Sequence, residues 1–280
     1  MTGKRKQWFL RILFIIGFLI CAYPVFSGIY ERMQQTGVLQ TYETRVHRTD
    51  EDVLDKALEE AVHYNDRLLQ TQGAYIPDLE ADILSHEHYM ELLNLSKNGI
   101  MASIEIPKIN VNLPIYHGTE EKELSNGVGH LESSSLPTGG KGTHCILTGH
   151  RGLPNSKLFT RLDELKKNDL FYIHLCGKTL AYQIEDIRVV KPEELEQFPI
   201  EADRDLISLI TCTPYGINTH RLVVTGKRTP YKKAVKESIQ PKMMSLRELI
   251  FTFLPFGILL IILIREYLKK RKEKQTCERN

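Results

Sequence analysis

The chain has 280 residues, and its 37 Lys and Arg against 35 Asp and Glu give a formal net charge of +2 at pH 7. Hydrophobic residues make up 42% and charged residues 26%, an ordinary globular composition for one good-sized domain with appendages or two small domains. The near-neutral charge argues against a nucleic-acid-binding protein, and five cysteines are too few for a disulfide scaffold.

A basic segment and an apolar run open the chain. Residues 1–11 contain four basic and no acidic side chains, and residues 12–29 follow without a charge. The run approaches the roughly 20 residues that a membrane-spanning helix needs. A cleaved signal peptide is the alternative, but the run is long for one and no small-x-small cleavage site follows it. We therefore predict a transmembrane helix over 12–29 behind a cytoplasmic basic start over 1–11.

Residues 30–98 are predicted to be a helical region. Acidic residues at 50–52 resemble the first turn of a helix, and apolar residues follow at helical spacing: Val53, Leu54, Ala57, Leu58, Ala61 and Val62. A second helical stretch, 86–95, follows an irregular piece over 71–81 that contains Gly and Pro. This piece is interpreted either as a segment lying over the folded domain or as a solvated linker, and the sequence leaves both readings open.

Short strands separated by turns are predicted to fill residues 99–231. The alternating or apolar stretches are 100–106, 111–116, 144–148, 170–175, 180–187, 206–210 and 221–225. Gly and Pro lie in several of the connections between them. Many short strands with few helices indicate an all-β barrel or sandwich with helical additions. Three cysteines, Cys145, Cys176 and Cys212, fall in this region, and a bridge between two of them stays open.

A polar, lysine-containing segment over 232–248 is interpreted as a stalk. It leads to a second apolar run over 249–264 and then to a tail, 265–280, with seven basic and three acidic residues. A buried helix of a soluble core is the alternative for the run. The tail favours a second transmembrane helix, because basic clusters stay on the cytoplasmic side. We therefore expect a two-pass cell-membrane protein with both termini cytoplasmic and the domain between the runs outside the cell.

Three chemistry-bearing residues stand at predicted strand ends: Cys212, Arg221 and His150. A thiol attacks as its thiolate, and a nearby His can take the proton and later return one to a leaving amine. A guanidinium is a suitable stabiliser for the oxyanion of acyl transfer. Singly, each residue has a structural interpretation: a buried Cys, a hydrogen-bonded loop His and a solvated Arg. Together they would form a thiol acyl-transfer site without metal or cofactor.

The strings around these residues are more specific. Residues 208–212, Ser-Leu-Ile-Thr-Cys, resemble the Thr-Leu-x-Thr-Cys signature of sortases, with Ser in the first position. Residues 212–222 are similar to the segment that joins nucleophile to arginine in class C, pilin-polymerising sortases. Residues 147–154 resemble the catalytic-His segment of that family, and 104–109 and 127–132 resemble its early strands and the following turn.

The resemblance covers residues 99–231 and implies an eight-stranded β-barrel with N-terminal helices in a membrane-anchored cysteine transpeptidase of Gram-positive bacteria. It implies Cys212 as the nucleophile that attacks the Thr–Gly bond of an LPXTG-like sorting signal and holds a thioacyl intermediate. His150 would be the general acid/base, and Arg221 would stabilise the oxyanion or position the substrate. A lysine of a second pilin subunit would resolve the intermediate into an isopeptide bond. The implied partners are LPXTG-bearing pilin or surface proteins and the lipid bilayer, with no nucleic acid, cofactor or metal.

One departure concerns the Asp-Pro-aromatic lid motif that many class C members carry ahead of the barrel. Here residues 76–79 read Ile-Pro-Asp-Leu, with Pro and Asp reversed and no aromatic residue following, so Asp78 is only a candidate lid residue. Cys145 is interpreted as a packing residue of its strand.

Three alternatives to a pilin polymerase remain: a cell-wall-anchoring sortase, a hydrolytic sortase, and a non-catalytic membrane-anchored assembly module. The second apolar run and the Pro-Tyr-Gly-x-Asn-x-His-Arg string over 214–221 favour the polymerising class. The presence of all three candidate residues argues against the non-catalytic module. A papain-like protease is disfavoured, because its Cys precedes its His, whereas His150 precedes Cys212 here.

Overall fold

The computed structural model describes most of the chain, in two compact units. The described residues are 3–71, 83–153, 158–196, 198–242 and 246–277. One unit comprises Glu31–Lys242, and the other comprises Met1–Tyr30 with Met243–Asn280.

The larger unit contains a closed eight-stranded barrel. Its strands are β1 (Ile100–Ile106), β2 (Val111–His117), β3 (Val128–His130), β4 (Thr143–Thr148), β5 (Leu170–Leu175), β6 (Lys178–Val190), β7 (Asp205–Thr213) and β8 (His220–Thr229). They close in the order β1-β2-β3-β4-β7-β8-β6-β5. The predicted eight-stranded barrel is therefore confirmed, and the sandwich alternative is wrong. The predicted stretches match seven of the strands, and the eighth, β3, is too short to give a periodic signal.

Strand β7 is buried along most of its length because both of its faces are covered. It pairs in parallel with β4 and antiparallel with β8. Ile207 and Leu209 pack into the main core, whereas Ile210 packs on the other face in a small cluster with Ile146 and Val223. The four apolar residues that flank Ser208 are typical of a strand covered on both faces, which explains why this stretch is recognisable in the sequence.

The described residues also contain six α-helices: α1 (Gly3–Arg48), α2 (Glu51–Thr71), α3 (His86–Glu91), α4 (Glu121–Asn126), α5 (Lys233–Ser238) and α6 (Leu246–Cys277). The predicted helical region before the barrel is confirmed for α2, whose first turn carries two acidic residues that interact favourably with the helix dipole. Helix α2 is fixed to the barrel by Asn65. Its side chain donates to the carbonyl of Leu136 at 3.1 Å and accepts from the amide of the same residue at 2.7 Å.

The two apolar runs lie within α1 and α6. The rings of Phe18 and Phe256 pack edge to face, with centroids 5.5 Å apart. Within the ranges described above, no helix combines the length and the apolar character needed to cross a membrane. Neither predicted transmembrane helix is therefore supported.

Residues 232–242 of the predicted stalk lie against the barrel. Lys236 Nζ of α5 lies 2.6 Å from Glu105 Oε2, and the amide of Lys242 donates to the carbonyl of Lys108 at 2.7 Å. Lys242 Nζ also pairs with Glu164 Oε2 at 2.8 Å. Two lysines of this segment, Lys236 and Lys242, therefore have acidic or carbonyl partners on the barrel surface.

Candidate active site

Cys212 and Arg221 are brought together by the antiparallel pairing of β7 with β8. The two residues are direct register partners near the end at which the connection over 214–219 joins the two strands, and both are half-buried. The guanidinium of Arg221 donates through Nη1 to the carbonyls of Asn218 and His220, each at 3.1 Å. The connection after Cys212 thus turns back and holds the arginine beside the strand end that carries the thiol.

His150 reaches the same end of the barrel through the parallel pairing of β4 with β7. Thr148 is the partner of Ile210, and the amide of Gly149 donates to the Ile210 carbonyl at 3.0 Å. One residue further, the hydroxyl of Thr211 donates to the carbonyl of Gly149 at 2.7 Å. Because the two strands run in the same direction, His150, two residues beyond Thr148, lies level with Cys212, two residues beyond Ile210. All three predicted site residues therefore lie at one end of the barrel.

The turn that carries His150 depends on a close contact at Gly149. A Cβ atom at this position would lie 2.8 Å from Cδ2 of Phe159, whose side chain is fully buried. The amide of Phe159 also donates to the carbonyl of His150 at 3.1 Å. Gly149 thus permits the close approach that sets the backbone position of the histidine.

Arg151 links the histidine segment to the cysteine segment. Its side chain is only 7% exposed, and it donates to Thr213 Oγ1 at 3.0 Å and to Asp163 Oδ2 at 2.5 Å. Its guanidinium carbon lies 6.0 Å from the ring centroid of Tyr215. The sequence shows Arg151 only as part of a string, because nothing in a sequence pattern indicates that a charged side chain next to His150 is buried.

Glu121 is a second residue that the sequence reading missed. Its Oε2 lies 3.2 Å from Nε2 of His150, and its Oε1 accepts a hydrogen bond from the hydroxyl of Ser125 at 3.0 Å. The Ser125 hydroxyl and then His150 lower the pKa of the Glu121 carboxyl. This exposed carboxylate lies 29 residues before its partner in the chain and follows no motif, so no sequence signal could have found it.

The other barrel thiols are unsuited to nucleophilic attack. Burial raises the pKa of Cys145 well above its usual value and that of Cys176 to about 11, whereas the Cys212 side chain is partly exposed. All three cysteines are free, so the bridge left open by the sequence does not form. Cys145 lies in the main core, which confirms its interpretation as a packing residue.

Two sequence expectations concern features for which the structure gives no site. The candidate lid residue Asp78, with residues 76–79, lies outside the described residues. Among the residues that are described, no group of three or more His, Cys, Asp and Glu side chains is arranged to hold a metal ion.

Comparison with known proteins gives the family. A family model for the sortase domain matches residues 104–229. The crystal structure of sortase C1 from Streptococcus agalactiae is 44% identical in sequence and superposes with a TM-score of 0.64, over 70% of this chain and 99% of that chain. This chain belongs to the sortase family.

Two further matches refine the assignment of this sortase. Sortase C from Clostridium perfringens, solved with a C-terminal cell wall sorting motif, is 39% identical with a TM-score of 0.59, over 70% of this chain and all of that chain. Sortase D from Bacillus subtilis is 32% identical over 128 residues, or 45% of this chain, which thereby spans 62% of that protein. The class C resemblance read from the sequence is confirmed, and the protein is a cysteine transpeptidase.

Proposed function

We propose that this sortase cleaves an LPXTG-like sorting signal between Thr and Gly and joins pilin subunits through an isopeptide bond to a lysine. The observation that carries the proposal is the register pairing of Cys212 with Arg221 beside the turn that bears His150. A thiol, an imidazole and a guanidinium at one end of a rigid barrel are a combination that can support metal-independent acyl transfer from an amide.

In the proposed reaction the Sγ thiolate of Cys212 attacks the carbonyl carbon of the Thr residue in the signal. Arg221 stabilises the negative charge on the carbonyl oxygen, and its guanidinium remains charged at any working pH. His150 gives a proton to the leaving Gly nitrogen as the C–N bond breaks, which leaves a thioester on Cys212. The lysine amine then attacks the thioester and gives a proton to His150, and the Cys212 thiolate leaves.

Two observations support a sorting signal and pilin subunits as the substrates. The Clostridium perfringens neighbour was solved with a C-terminal cell wall sorting motif, and the solved neighbours named above are class C sortases. The segment between Cys212 and Arg221 also has the string that resembles pilin-polymerising members.

The proposed location is the cell membrane, with both termini cytoplasmic and the barrel outside the cell. The support comes from the charge distribution, because residues 12–264 contain fewer basic than acidic side chains and both ends are basic. To test it, a thiol reagent that cannot cross membranes is applied to intact cells that produce the Lys122→Cys variant. Labelling of position 122 together with protection of Cys277 is expected, and labelling of Cys277 before lysis overturns the topology.

The function is tested with the full-length protein, an LPXTG peptide and a pilin fragment bearing an acceptor lysine. The parent is expected to form a thioester adduct and a cross-linked product, and Cys212→Ala is expected to form neither. Retention of cleavage in Cys212→Ala overturns the nucleophile assignment. Cleavage with water as the only acceptor identifies a hydrolytic sortase, and transfer only to a cell-wall peptide amine identifies a cell-wall-anchoring sortase.

A further inference from the structure

One carboxylate approaches the imidazole at the site from a separate element. Glu121 Oε2 lies 3.2 Å from Nε2 of His150, while its other oxygen is held by Ser125 at 3.0 Å. Glu121 is the first residue of α4, and Ser125 lies one turn further along the same helix. Because Ser125 binds one oxygen, the carboxylate is oriented with the other oxygen toward the histidine.

The fold brings α4 to this place through two glycines. Helix α4 joins β2 to β3, and Gly129 of β3 is the register partner of Thr148 at the end of β4. A Cβ at Gly129 would lie 2.9 Å from Leu124 Cδ2, and a Cβ at Gly127 would lie 2.5 Å from the Pro114 carbonyl oxygen. The helix therefore packs directly on the strand next to the histidine turn, which a side chain at either glycine would prevent.

We propose that Glu121 is a positioning residue that accepts a hydrogen bond from Nε2–H of His150 and leaves Nδ1 as the nitrogen that exchanges protons with the substrate. This inference rests on the proposed function. A carboxylate carries no proton to donate, so a hydrogen bond between the two groups requires the proton to sit on Nε2. The hydrogen bond made by one ring nitrogen decides which of the two nitrogens carries the proton in the neutral ring.

The proton balance follows from this assignment. The form that attacks the substrate has a Cys212 thiolate and a His150 imidazolium with a proton on each ring nitrogen. Nδ1 gives its proton to the leaving amine as the C–N bond breaks, and the ring becomes the neutral tautomer with Nε2–H bound to Glu121. The incoming lysine amine forms the new C–N bond and gives its proton to Nδ1 as the C–S bond breaks. The imidazolium and the thiolate are then restored.

The other charged groups near His150 have different partners. Arg151 is directed to Asp163 and Thr213, and Arg221 is held by the carbonyls of its own loop. Within the described residues, Glu121 is the acidic residue that forms an ion-pair contact with the His150 ring. Its effect on the reaction is expected to be modest because its side chain is 76% exposed.

The test uses the full chain with 15N-labelled histidine, and the His150 signals are assigned by their loss in His150→Asn. Once the ring is deprotonated, NMR of the parent is expected to show the neutral Nε2–H tautomer, and Glu121→Ala is expected to populate the Nδ1–H tautomer. For Glu121→Gln we expect kcat/KM for peptide cleavage to fall about two- to fivefold.

Glu120→Gln is the matched control, since it removes the same charge from the adjacent, exposed residue that precedes α4. It is expected to leave the tautomer and kcat/KM unchanged, and Glu121→Asp should recover part of the loss. The difference between parent and Glu121→Gln should shrink in high salt. An Nδ1–H tautomer in the parent, or an unchanged tautomer and kcat/KM in the Glu121 variants, overturns the proposal. If the parent cleaves no peptide but the tautomer still differs between the parent and Glu121→Ala, the positioning role stands and the proposed function is overturned.

Discussion

The buried hydroxyl of Thr211 donates to the carbonyl oxygen of Gly149 at 2.7 Å. These two residues immediately precede Cys212 and His150, so one side-chain hydrogen bond joins the segments that carry the proposed nucleophile and the proposed acid/base. The β4–β7 ladder ends at the same level, where the amide of Gly149 binds the carbonyl of Ile210. The spacing of the two candidate groups is therefore set by a strand pair together with a polar contact beyond its end.

The first prediction concerns Thr211. Thr211→Val keeps the shape of the side chain but leaves the Gly149 carbonyl without this donor, which should lower the free energy of unfolding by about 1–3 kcal/mol. Cleavage should slow as well, because the position of His150 relative to Cys212 loosens. Urea denaturation and peptide-cleavage assays measure the two effects. Thr211→Ser retains the hydroxyl and should recover most of both; equal behaviour of Val and Ser would mean that the bond has no role.

A second prediction concerns the close contact at Gly149. Gly149→Ala places a Cβ 2.8 Å from the buried Phe159 ring, and overpacking of this kind should destabilise the protein by about 1–3 kcal/mol. Phe159→Leu is expected to relieve part of the clash when it is combined with Gly149→Ala. As a control, Gly37→Ala in α1 meets no atom within 4 Å and should be neutral or stabilising. Additive effects of the two substitutions at 149 and 159 would contradict the contact.

Arg151 is the subject of the third prediction. Arg151→Lys keeps the charge but cannot bridge Asp163 and Thr213 with a planar guanidinium, which should cost about 1–2 kcal/mol of folding free energy. We expect kcat to fall more than KM rises, because Thr213 directly follows Cys212 and loses its anchor. Steady-state kinetics against the LPXTG peptide measure the division. Arg188→Lys, on the outer face over Phe198, is the control and should leave kcat unchanged.

The fourth prediction is a pH dependence. A hydrogen bond from Arg161 and then the contact with Lys242 lower the pKa of Glu164 from 4.5 to about 2, although burial opposes the shift. A carboxyl with a depressed pKa stabilises the folded state fully above its unfolded pKa, and the contribution is lost as pH falls toward the folded pKa. Glu164→Gln should therefore lower the urea midpoint at pH 7, and the difference from the parent should vanish between pH 4.5 and about 2. A constant difference over this range would contradict the assignment.

The sequence reveals those parts of the molecule that repeat or that match known strings. Strand β7 was recognisable because it is covered on both faces, and Cys212 because it ends that strand within a signature. Strand β3 was not recognisable, since three residues show no period. Neither Glu121 nor the burial of Arg151 could be read, because each depends on which distant elements pack against the histidine turn. The ion pair between Lys236 and Glu105 could not be read from the sequence for the same reason.

The parallel pairing of β4 with β7 has a consequence for how the enzyme matures. The paired residues Thr148 and Ile210 are 62 positions apart, and long-range contacts of this kind form slowly because the intervening loop must close first. Cys212 and His150 reach the same end of the barrel only when that closure is complete. A chain that is still being synthesised, or whose barrel has not yet closed, carries the Cys212 thiol without His150 beside it. The reactive site therefore appears together with the finished fold, so that its chemistry is withheld until the protein is complete.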